Sequence, residues 1–492
     1  MTILDLLAAA CVDRGNAPAV GDVTYDELAA RAARVAARFA DLGVERGDRV
    51  AVYSENRQGF VDAYFGALWL GAIVVPTNVL YRSADLGHVL RDADAKLVVA
   101  SAGQRPHVEM LADAPPLLDI ADVEACAATG LTEHPGVRIR EDEIAIIVYT
   151  SGTTGRSKGA MLDHGAVAAI ATQVAGAWRW SAADTLYVAL PLFHVHGLCA
   201  ALNGSIAAGG RIVIDARFDA ARALDVLRGD GVTMFFGVPT MYVRLLETLG
   251  SSQAPQLRLC VSGSAALDAT VFQRFKERFG IEILERYGAT EFGFALTNRY
   301  GGTRVAGSVG IPFAGVAVRI VDGNNDDVLE GDVGELLVSG PNVFAGYWRD
   351  PLKTAASFAA GNDGRRWYCS GDLARYDADY GVYRIVGRMK ELIISGGFNV
   401  YPREVEIEID RYPGVVASAL VGVADPARGE LPIAFVEANE LDADALLAYL
   451  AERLASFKLP KRVHRIDALP RNALGKIEKH RLAEPAVSEH SG

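Results

Sequence analysis

Residues 149–159 read Tyr-Thr-Ser-Gly-Thr-Thr-Gly-Arg-Ser-Lys-Gly, and they follow an apolar, β-branched run, Ile144–Val148, that predicts a strand. The stretch contains three glycines, three threonines, two serines and two cations within eleven residues. Glycines allow backbone N–H groups to close around a phosphate, hydroxyls add donors, and Lys158 supplies positive charge. The pattern therefore predicts a loop that binds the phosphates of a nucleotide.

This loop differs from the Walker A motif, which has glycine directly before its lysine and Ser or Thr directly after it. Here Ser157 precedes Lys158 and Gly159 follows it, so an ordinary P-loop NTPase is disfavoured. Composition alone leaves a second interpretation open, a hydroxyl-rich surface loop without a ligand. The lysine and the preceding strand argue against that interpretation.

The size and charge of the chain limit the classes of function. At 492 residues the chain is too long for one hydrophobic core, so two or more domains are expected. Hydrophobic residues make up 50% and charged residues 22%, which is typical of a globular protein. The net charge of −12 argues against nucleic acid or an anionic membrane as the main partner.

The sequence also lacks signals for export or membrane insertion. The N-terminal residues have no basic region, so a signal peptide is not predicted. The most apolar stretch, Phe65–Val75, is shorter than the roughly 20 residues that a spanning helix needs. The five cysteines are scattered without a C-x-x-C spacing, which disfavours a metal site and a disulfide framework. We therefore expect a cytoplasmic protein with no membrane insertion.

Helix and strand patterns alternate along the first part of the chain. Thr24–Glu27 is a capping-box sequence, apolar residues then recur at helical spacing to Leu42, and Gly43 is a plausible stop. The next predicted elements are a strand at 50–53, a helix at 61–70, a strand at 72–75, a helix at 86–92 and a strand at 96–100. This alternation predicts an α/β fold with parallel sheets.

The character of the sequence changes near residue 305. Residues 316–347 are β-rich with turn signals, and a smaller α/β unit follows residue 387. The predicted elements of that unit are a helix at 404–410, strands at 416–423 and 432–437, and a helix at 442–454. We predict an N-terminal domain over residues 1–387 and a C-terminal domain over residues 388–492.

Several further segments accompany the glycine-rich loop. They are Leu190-Pro-Leu-Phe-His-Val-His-Gly197, Val261-Ser-Gly-Ser-Ala-Ala266, Glu285-Arg-Tyr-Gly-Ala-Thr-Glu291, Tyr368-Cys-Ser-Gly-Asp-Leu373, Ile385-Val-Gly-Arg388, Ser395-Gly-Gly-Phe-Asn399 and Pro470-Arg-Asn-Ala-Leu-Gly-Lys476. In this order and spacing they closely resemble the adenylate-forming acyl-CoA synthetase superfamily, which includes acyl- and aryl-CoA ligases, firefly luciferase and peptide-synthetase adenylation domains. The resemblance covers nearly the whole chain.

The resemblance implies a two-step ligation. A carboxylate attacks the α-phosphorus of ATP to give an acyl-AMP and pyrophosphate, and the thiol of coenzyme A then displaces AMP. Mg²⁺ is the implied cofactor, and ATP and coenzyme A are co-substrates. The implied fold is a large N-terminal domain of α/β subdomains plus a β-rich subdomain, with a small mobile C-terminal α/β lid. A monomer or homodimer is expected.

The resemblance assigns roles to residues of the predicted N-terminal domain. Glu291 corresponds to the glutamate linked to magnesium, Thr290 contacts the α-phosphate, and the ring of Tyr287, next to Gly288, lies against adenine. The small residues Gly263, Ser264 and Ala265 correspond to the wall on which adenine lies. The phosphate loop that holds the outgoing pyrophosphate corresponds to Thr150, Ser151, Gly152, Thr153, Thr154, Gly155 and Lys158.

Further roles are implied towards the C-terminus. Asp372 corresponds to the carboxylate that accepts both ribose hydroxyls, with Arg388 as a second ribose contact. Lys476 corresponds to the lysine that bridges the substrate carboxylate and the α-phosphate. Lys390 occupies the hinge position, about which the lid rotates between the two half-reactions. That rotation withdraws Lys476 and brings the coenzyme A-binding loop, Ser395, Gly396 and Gly397, to the thiol.

Three residues bear on the identity of the acid. His194 corresponds to a wall or gate of the acyl site, and Arg286 stands where many fatty and aryl ligases have an uncharged residue. A pocket arginine usually needs a charge to pair with, so a second substrate carboxylate fits, as does a protein carboxylate such as Glu285. The surrounding runs resemble malonyl-CoA synthetases, which predicts malonate or a related short dicarboxylate. Ala289 departs from that pattern, which usually has Met, and so leaves room for a larger acyl group.

Alternative functions remain open from the sequence. A medium-chain or aromatic acyl-CoA ligase would keep the chemistry and change the acid. An adenylating enzyme could instead load the thiol of a carrier protein, although no carrier domain follows Lys476. A catalytically inactive nucleotide-binding protein is disfavoured, since Lys158, Glu291, Asp372 and Lys476 are all present.

Overall fold

A computed structural model describes residues 1–150, 157–229, 231–361, 364–425, 428–472 and 475–482. Its α-helices are α1 (Ile3–Arg14), α2 (Tyr25–Asp41), α3 (Gln58–Leu70), α4 (Ser83–Ala93), α5 (Arg105–Glu109), α6 (Ile120–Thr129), α7 (His164–Ala177), α8 (Asn203–Ala208), α9 (Ala220–Arg228), α10 (Pro239–Leu249), α11 (Ala269–Phe279), α12 (Pro351–Ala356), α13 (Pro402–Asp410) and α14 (Ala443–Ala451). A π-helical stretch, His196–Leu202, precedes α8, and short 3₁₀ turns lie at Met389–Glu391 and Ser456–Lys458.

The strands complete the inventory of regular structure. They are β1 (Pro18–Val20), β2 (Val23–Thr24), β3 (Arg49–Tyr53), β4 (Ile73–Pro76), β5 (Ala95–Ala100), β6 (Leu117–Asp119), β7 (Ile144–Thr150), β8 (Lys158–Asp163), β9 (Thr185–Val188), β10 (Arg211–Ile214), β11 (Met234–Gly237), β12 (Leu259–Ser262), β13 (Leu284–Tyr287), β14 (Leu296–Thr297), β15 (Ile311–Pro312), β16 (Ala317–Val321), β17 (Gly334–Ser339), β18 (Gly346–Tyr347), β19 (Phe358–Ala360), β20 (Arg366–Asp377), β21 (Val382–Arg388), β22 (Ile393–Ser395), β23 (Phe398–Val400), β24 (Val415–Asp425), β25 (Gly429–Ala438) and β26 (Arg462–Ile466).

The chain divides into two compact units. The first contains Met1–Ala306, Gly310–Val318 and Val338–Tyr368, and the second contains Gly307–Val309, Arg319–Leu337 and Cys369–Gly492. The boundary predicted between residues 387 and 388 falls at the end of β21, inside the second unit, and stays a prediction. The predicted α/β class is confirmed, and so is the change to β-rich structure after residue 305.

One sheet of the first unit carries three of the segments that contain predicted site residues, at β9, β12 and β13. Its strand order is β15-β14-β13-β12-β11-β9-β10-β1-β2, and the neighbours from β10 through β9, β11 and β12 to β13 are parallel. Strands β9, β11 and β12 are fully buried, because helices such as α10 and α11 pack on the sheet through Tyr242 and Phe275. The carboxyl ends of these strands therefore share one edge.

A second sheet of the first unit frames the glycine-rich loop. Its order is β18-β8-β7-β4-β3-β5-β6, and β7 and β8 form the antiparallel pair that brackets the loop. The predicted helix after residue 24 is confirmed as α2. The Thr24 side chain accepts from the backbone N–H of Glu27, and Gly43 follows the end of the helix with a positive φ.

The second unit contains a β-rich part and a C-terminal α/β part. In the β-rich part, β20 and β21 pair antiparallel from Asp372 opposite Arg388 to Asp377 opposite Val382. The C-terminal sheet has the order β23-β22-β25-β24, with β26 on β25, and it buries Leu420, Val436 and Leu446 together with α13 and α14. The helices and strands predicted after residue 400 are confirmed to within a few residues.

No helix among the described residues combines the length and apolar character needed to cross a membrane.

Candidate active site

The predicted site residues of the first unit follow strands that lie side by side. The 190–197 loop follows β9, the Gly263–Ala265 turn follows β12, and Arg286 and Tyr287 end β13. In parallel α/β sheets the carboxyl edge of the strands is where ligands bind. The sheet therefore brings together segments that are about a hundred residues apart in the chain.

Arg286 is a buried cation at this edge. Only 5% of the residue is exposed, its Nη2 lies 3.4 Å from the Ser264 hydroxyl, and its Cζ lies 4.2 Å from the centre of the Phe294 ring. Among the described residues no carboxylate lies within ion-pair distance of it, and its Nε has no hydrogen-bond partner there. Burial lowers the pKa of Arg286 to about 9, so the guanidinium still carries its charge at neutral pH.

Two histidines of the loop after β9 are uncharged beside this cation. Burial, followed by the Arg286 charge, lowers the pKa of His194 to about 4. The same two causes, together with His194, lower the pKa of His196, whose ring stacks on Phe236 and meets Phe294 edge-on. Neither ring nitrogen of His196 has a partner among the described residues. The predicted acyl side of the site thus combines one cation with neutral polar and aromatic groups.

The turn after β12 is small where the predicted adenine wall requires it. A Cβ at Gly263 would overlap Cζ and Nε of Arg286, so this glycine leaves the space that the guanidinium occupies. Ser264 adopts a positive φ of 69°, a conformation that is uncommon for a residue with a side chain. Tyr287 is half-buried at the end of β13 and tilts against Phe292 at 5.6 Å.

The proposed phosphate and magnesium residues meet around Tyr347. Strand β18 pairs with β8, which places the Tyr347 ring 6.0 Å from Lys158 Nζ. The Tyr347 hydroxyl donates to Glu291 Oε1 at 2.9 Å, and the backbone carbonyl of Glu291 accepts from Phe344 N at 2.8 Å. Thr290 is buried directly before Glu291. A cation and a carboxylate thus both lie near one aromatic ring, with Lys158 over the ring and Glu291 at its hydroxyl group.

Glu291 fits a magnesium site of the kind found with nucleotides. Mg²⁺ is usually held by one or two carboxylates together with substrate phosphates and water. Within the described residues there is no cluster of three or more metal-ligating side chains, so Glu291 would be the main protein ligand. Thr150 ends β7, whereas Ser151, Gly152, Thr153, Thr154 and Gly155 lie outside the described residues.

Two predicted ribose contacts pair with each other in the second unit. Arg388 Nε lies 2.7 Å from Asp372 Oδ1, because the two residues are cross-strand partners on β20 and β21. The Asp372 side chain is 4% exposed, and its backbone N–H donates to the Ser370 hydroxyl. The ion pair holds the carboxylate in a fixed orientation, which suits the predicted role of Asp372 as an acceptor of ribose hydroxyls.

The loop of Lys476 is held by Asn472. The Asn472 N–H donates to the carbonyl of Lys476 at 2.9 Å, and its side-chain oxygen accepts from the Lys476 N–H at 3.0 Å. Desolvation, and then the Arg388 cation, lowers the pKa of Lys476, while Glu391 and Asp372 act in the opposite direction. Lys476 therefore lies in the same unit as the Asp372–Arg388 pair, and the charges of both residues act on it.

The predicted hinge and coenzyme A loop occupy neighbouring turns of the second unit. Lys390 lies in the exposed turn Met389–Glu391. Gly396 and Gly397 form the two-residue turn between β22 and β23, with φ values of 60° and 81°. Nothing lies within 4 Å of a Cβ built on either glycine, so the backbone conformation and not crowding requires glycine here. Ser395, which precedes them, is buried.

Several residues of the site were not found from the sequence. Phe294 and His196 line the space beside Arg286, and Tyr347 links Lys158 to Glu291. The amide group of Asn56 holds the loop after β9, because it donates to the Leu190 carbonyl and accepts from the Leu192 N–H. His196 could have been found from its position two residues after His194. Asn56 could not, because it lies far from the loop in the sequence and no local pattern connects them.

Two family comparisons match this chain. Residues 7–348 match the AMP-binding enzyme family, and residues 404–476 match the AMP-binding enzyme C-terminal domain. Together these matches include Lys158, Arg286, Glu291 and Lys476.

Similar proteins include ligases for different acids. The chain is 37% identical over 464 residues to a feruloyl-CoA synthase of Amycolatopsis sp, covering 93% of this chain and 92% of the relative. It is 34% identical over 478 residues to a sulfoacetate–CoA ligase of Cupriavidus necator, covering 94% and 92%. The structure of ATP-bound MatB from Rhodopseudomonas palustris superposes with a TM-score of 0.91 at 37% identity, covering 99% of both chains.

Proposed function

We propose a substrate class for this chain, which belongs to the AMP-binding enzyme family and is an AMP-forming acyl-CoA ligase. The proposed substrate is a short acid with a second anionic group, with malonate or a related short dicarboxylate as the leading candidate. The observation that carries this proposal is that the buried guanidinium of Arg286 has no carboxylate within ion-pair distance among the described residues.

A buried guanidinium without a carboxylate partner is costly, and a bound anion offsets that cost. Among the described residues Arg286 meets a hydroxyl and an aromatic face, and neither neutralises its charge. The planar guanidinium suits a second carboxylate, which it can bind through two parallel hydrogen bonds. The neutral histidines nearby do not compete with Arg286 for that carboxylate. The sequence left open that Arg286 pairs with Glu285, but these two residues form no ion pair with each other in the described part of the chain.

The reaction follows from the remaining groups. The substrate carboxylate oxygen forms a bond to the α-phosphorus as the bond to pyrophosphate breaks, and the sulfur of coenzyme A then attacks the acyl carbon as AMP leaves. Lys158 and the glycine-rich loop would stabilise the departing pyrophosphate, and Lys476 would bridge carboxylate and α-phosphate. Bound at Glu291, Mg²⁺ would neutralise charge on the phosphates. This consumption of ATP and coenzyme A fits the cytoplasm, and that location stays a prediction.

An aromatic or medium-chain acid is the second candidate. Ala289 is a small residue directly before Thr290, and it leaves room for a larger acyl group. The similarity to a feruloyl-CoA synthase also favours this candidate, whereas the similarity to a sulfoacetate–CoA ligase favours an acid with a second anionic group. Transfer to a carrier-protein thiol is a weaker alternative.

The test is pyrophosphate release with ATP, Mg²⁺ and coenzyme A across a matched panel of acids. Malonate, methylmalonate, succinate and sulfoacetate carry a second anion, whereas acetate, butyrate, octanoate, benzoate and ferulate do not. A lead of two orders of magnitude or more in kcat/KM for an acid of the first group is expected. A monocarboxylate at the top of the panel would overturn the second-anion proposal and leave the ligase activity intact.

A further inference from the structure

A half-buried cation, Lys479, lies in the C-terminal part of the second unit. Lys479 Nζ lies 2.8 Å from Glu391 Oε2 and 2.7 Å from Glu406 Oε1. The side chain of Lys479 is 18% exposed and that of Glu406 is 5% exposed. Glu406 also accepts from the Leu420 N–H at 2.9 Å, so its carboxylate is fixed to β24. One ammonium group thus joins two carboxylates from separate elements.

The two carboxylates and the lysine belong to segments with distinct proposed roles. Glu391 ends the turn that contains Lys390, the predicted hinge residue, and Glu406 lies on α13. Lys479 lies three residues after Lys476, in a segment that is fixed where Glu478 N donates to the Pro470 carbonyl at 2.8 Å. The ion pairs therefore tie the segment of Lys476 to the hinge turn.

Electrostatics add a second link between the two lysines. Burial would raise the pKa of Glu391, yet the pKa is lowered because Lys479, Lys476 and Arg388 lie near the carboxylate. Glu391 in turn acts on Lys476 to raise its pKa, whereas Lys479 acts to lower it. The two lysines thus share the field of one carboxylate, and Lys479 is the one in direct contact with it.

We propose that Lys479 is a positioning residue for acyl-adenylate formation, which rests on the proposed role of Lys476 and not on the identity of the acid. By pairing with Glu391 and Glu406, Lys479 fixes the loop of Lys476 and keeps the Glu391 carboxylate from drawing the Lys476 ammonium to itself. Without Lys479, the Glu391 carboxylate loses its direct partner, and Lys476 pairs with it in place of the substrate carboxylate. The second half-reaction does not use Lys476 and so does not need this arrangement.

The experiment measures the two half-reactions separately in the full-length protein. Pyrophosphate release in a single turnover with ATP, Mg²⁺ and the best acid of the panel reports adenylation. Conversion of the purified acyl-adenylate of that acid to acyl-CoA reports thioester formation. For Lys479→Met, adenylation is expected to fall roughly 10- to 100-fold, as for a misplaced catalytic group, while thioester formation changes less than about threefold.

Three further variants separate positioning from folding. Lys479→Arg keeps the charge and is expected to retain adenylation within a few fold. The double variant Lys479→Met/Glu391→Gln also removes the carboxylate that would pair with Lys476. Its adenylation is expected to be at least about tenfold faster than that of Lys479→Met. Arg481→Met is the matched control, because Arg481 makes an exposed pair with Glu478 in the same segment at 3.1 Å. It is expected to leave both half-reactions unchanged.

The proposal is overturned if Lys479→Met slows both half-reactions equally, since that is the signature of general damage to the unit. It is also overturned if Lys479→Met slows neither half-reaction, or if the double variant is no better than the single one. If Lys479→Met is too unstable to assay, the Glu391→Gln single variant decides, because loss of its adenylation by more than about tenfold contradicts a competing role for Glu391. Lys476→Met tests the premise separately: full adenylation in that variant would show that the role of Lys476 is wrong.

Discussion

Two cations, the buried Arg286 in the first unit and the half-buried Lys479 in the second, have opposite surroundings. Arg286 lies against a hydroxyl and an aromatic ring, with no carboxylate in ion-pair range among the described residues, whereas Lys479 contacts two carboxylates at 2.7 and 2.8 Å. A buried charge that its own chain neutralises is part of the structure. A buried charge that its own chain leaves unneutralised is available to a ligand. The contrast supports the two proposed roles, in which Arg286 binds a second anionic group of the substrate and Lys479 positions the loop of Lys476.

The largest effect is expected from Arg286→Met in the activity assay. With the best dianionic acid, kcat/KM should fall roughly 10²- to 10³-fold, since losing one partner of a buried charge pair costs about 2–5 kcal/mol. With butyrate it should stay level or rise, because the pocket becomes apolar. Arg286→Lys is the matched variant, and its compact ammonium should restore only part of the activity. An equal loss with both acids would contradict the proposal that Arg286 binds a second anionic group of the substrate.

The next effect concerns stability and should have opposite signs at the two cations. Lys479→Met is expected to lower the free energy of unfolding by about 3 kcal/mol, the low end for breaking a buried ion pair, because Glu391 keeps some solvent contact. Arg286→Met should leave the free energy of unfolding unchanged or raise it by about 1 kcal/mol, because it removes a desolvated charge. Urea denaturation of the ligand-free variants measures both changes. Equal destabilisation would remove the distinction between the two cations.

A smaller effect is expected at the glycine that makes room for Arg286. Gly263→Ala places a Cβ where the guanidinium lies, and such overpacking costs about 1–3 kcal/mol. In the wild-type background, kcat/KM for the dianionic acid should fall by roughly 10- to 100-fold. In the Arg286→Met background the same change should cost much less, because the methionine side chain can move. A double-mutant cycle with no coupling would show that Gly263 acts on adenine alone.

The smallest effect is the pH dependence that His194 contributes. Its pKa is about 4 in the folded chain, below its ordinary value of 6.5, so the unfolded chain binds its proton more tightly. The contribution to stability is therefore fully present above pH 6.5 and is lost as the pH falls from 6.5 towards 4. Between pH 7 and pH 5.5 the wild type should lose on the order of 1 kcal/mol more than His194→Gln. In Arg286→Met this difference should shrink, because the Arg286 charge helps to lower the pKa of His194.

Most of the fold could be predicted from local patterns. The helix after Thr24, the strand before the glycine-rich loop and the helix near Glu404 follow from capping, apolar periodicity and β-branched runs, which act over a few residues. The second compact unit is discontinuous in sequence, since residues 307–309 and 319–337 belong to it, and such an arrangement leaves no local signal.

The candidate site could be predicted in part. The motifs identified Arg286, Glu291, Asp372 and Lys476, since their neighbouring residues form recognisable runs. They did not identify Asn56, Phe294 or Tyr347 as neighbours of those residues, because these contacts depend on how strands and loops meet in space.

By itself the sequence determined the order of elements, the glycine turns and the chemical types available for nucleotide and acyl binding. These depend on backbone conformation and on spacing along the chain. Only the tertiary structure decided that Arg286 is buried beside Phe294 with no carboxylate partner among the described residues, and that Lys479 joins Glu391 to Glu406. Whether a charge is neutralised depends on burial and on partners distant in sequence, and both are set by packing.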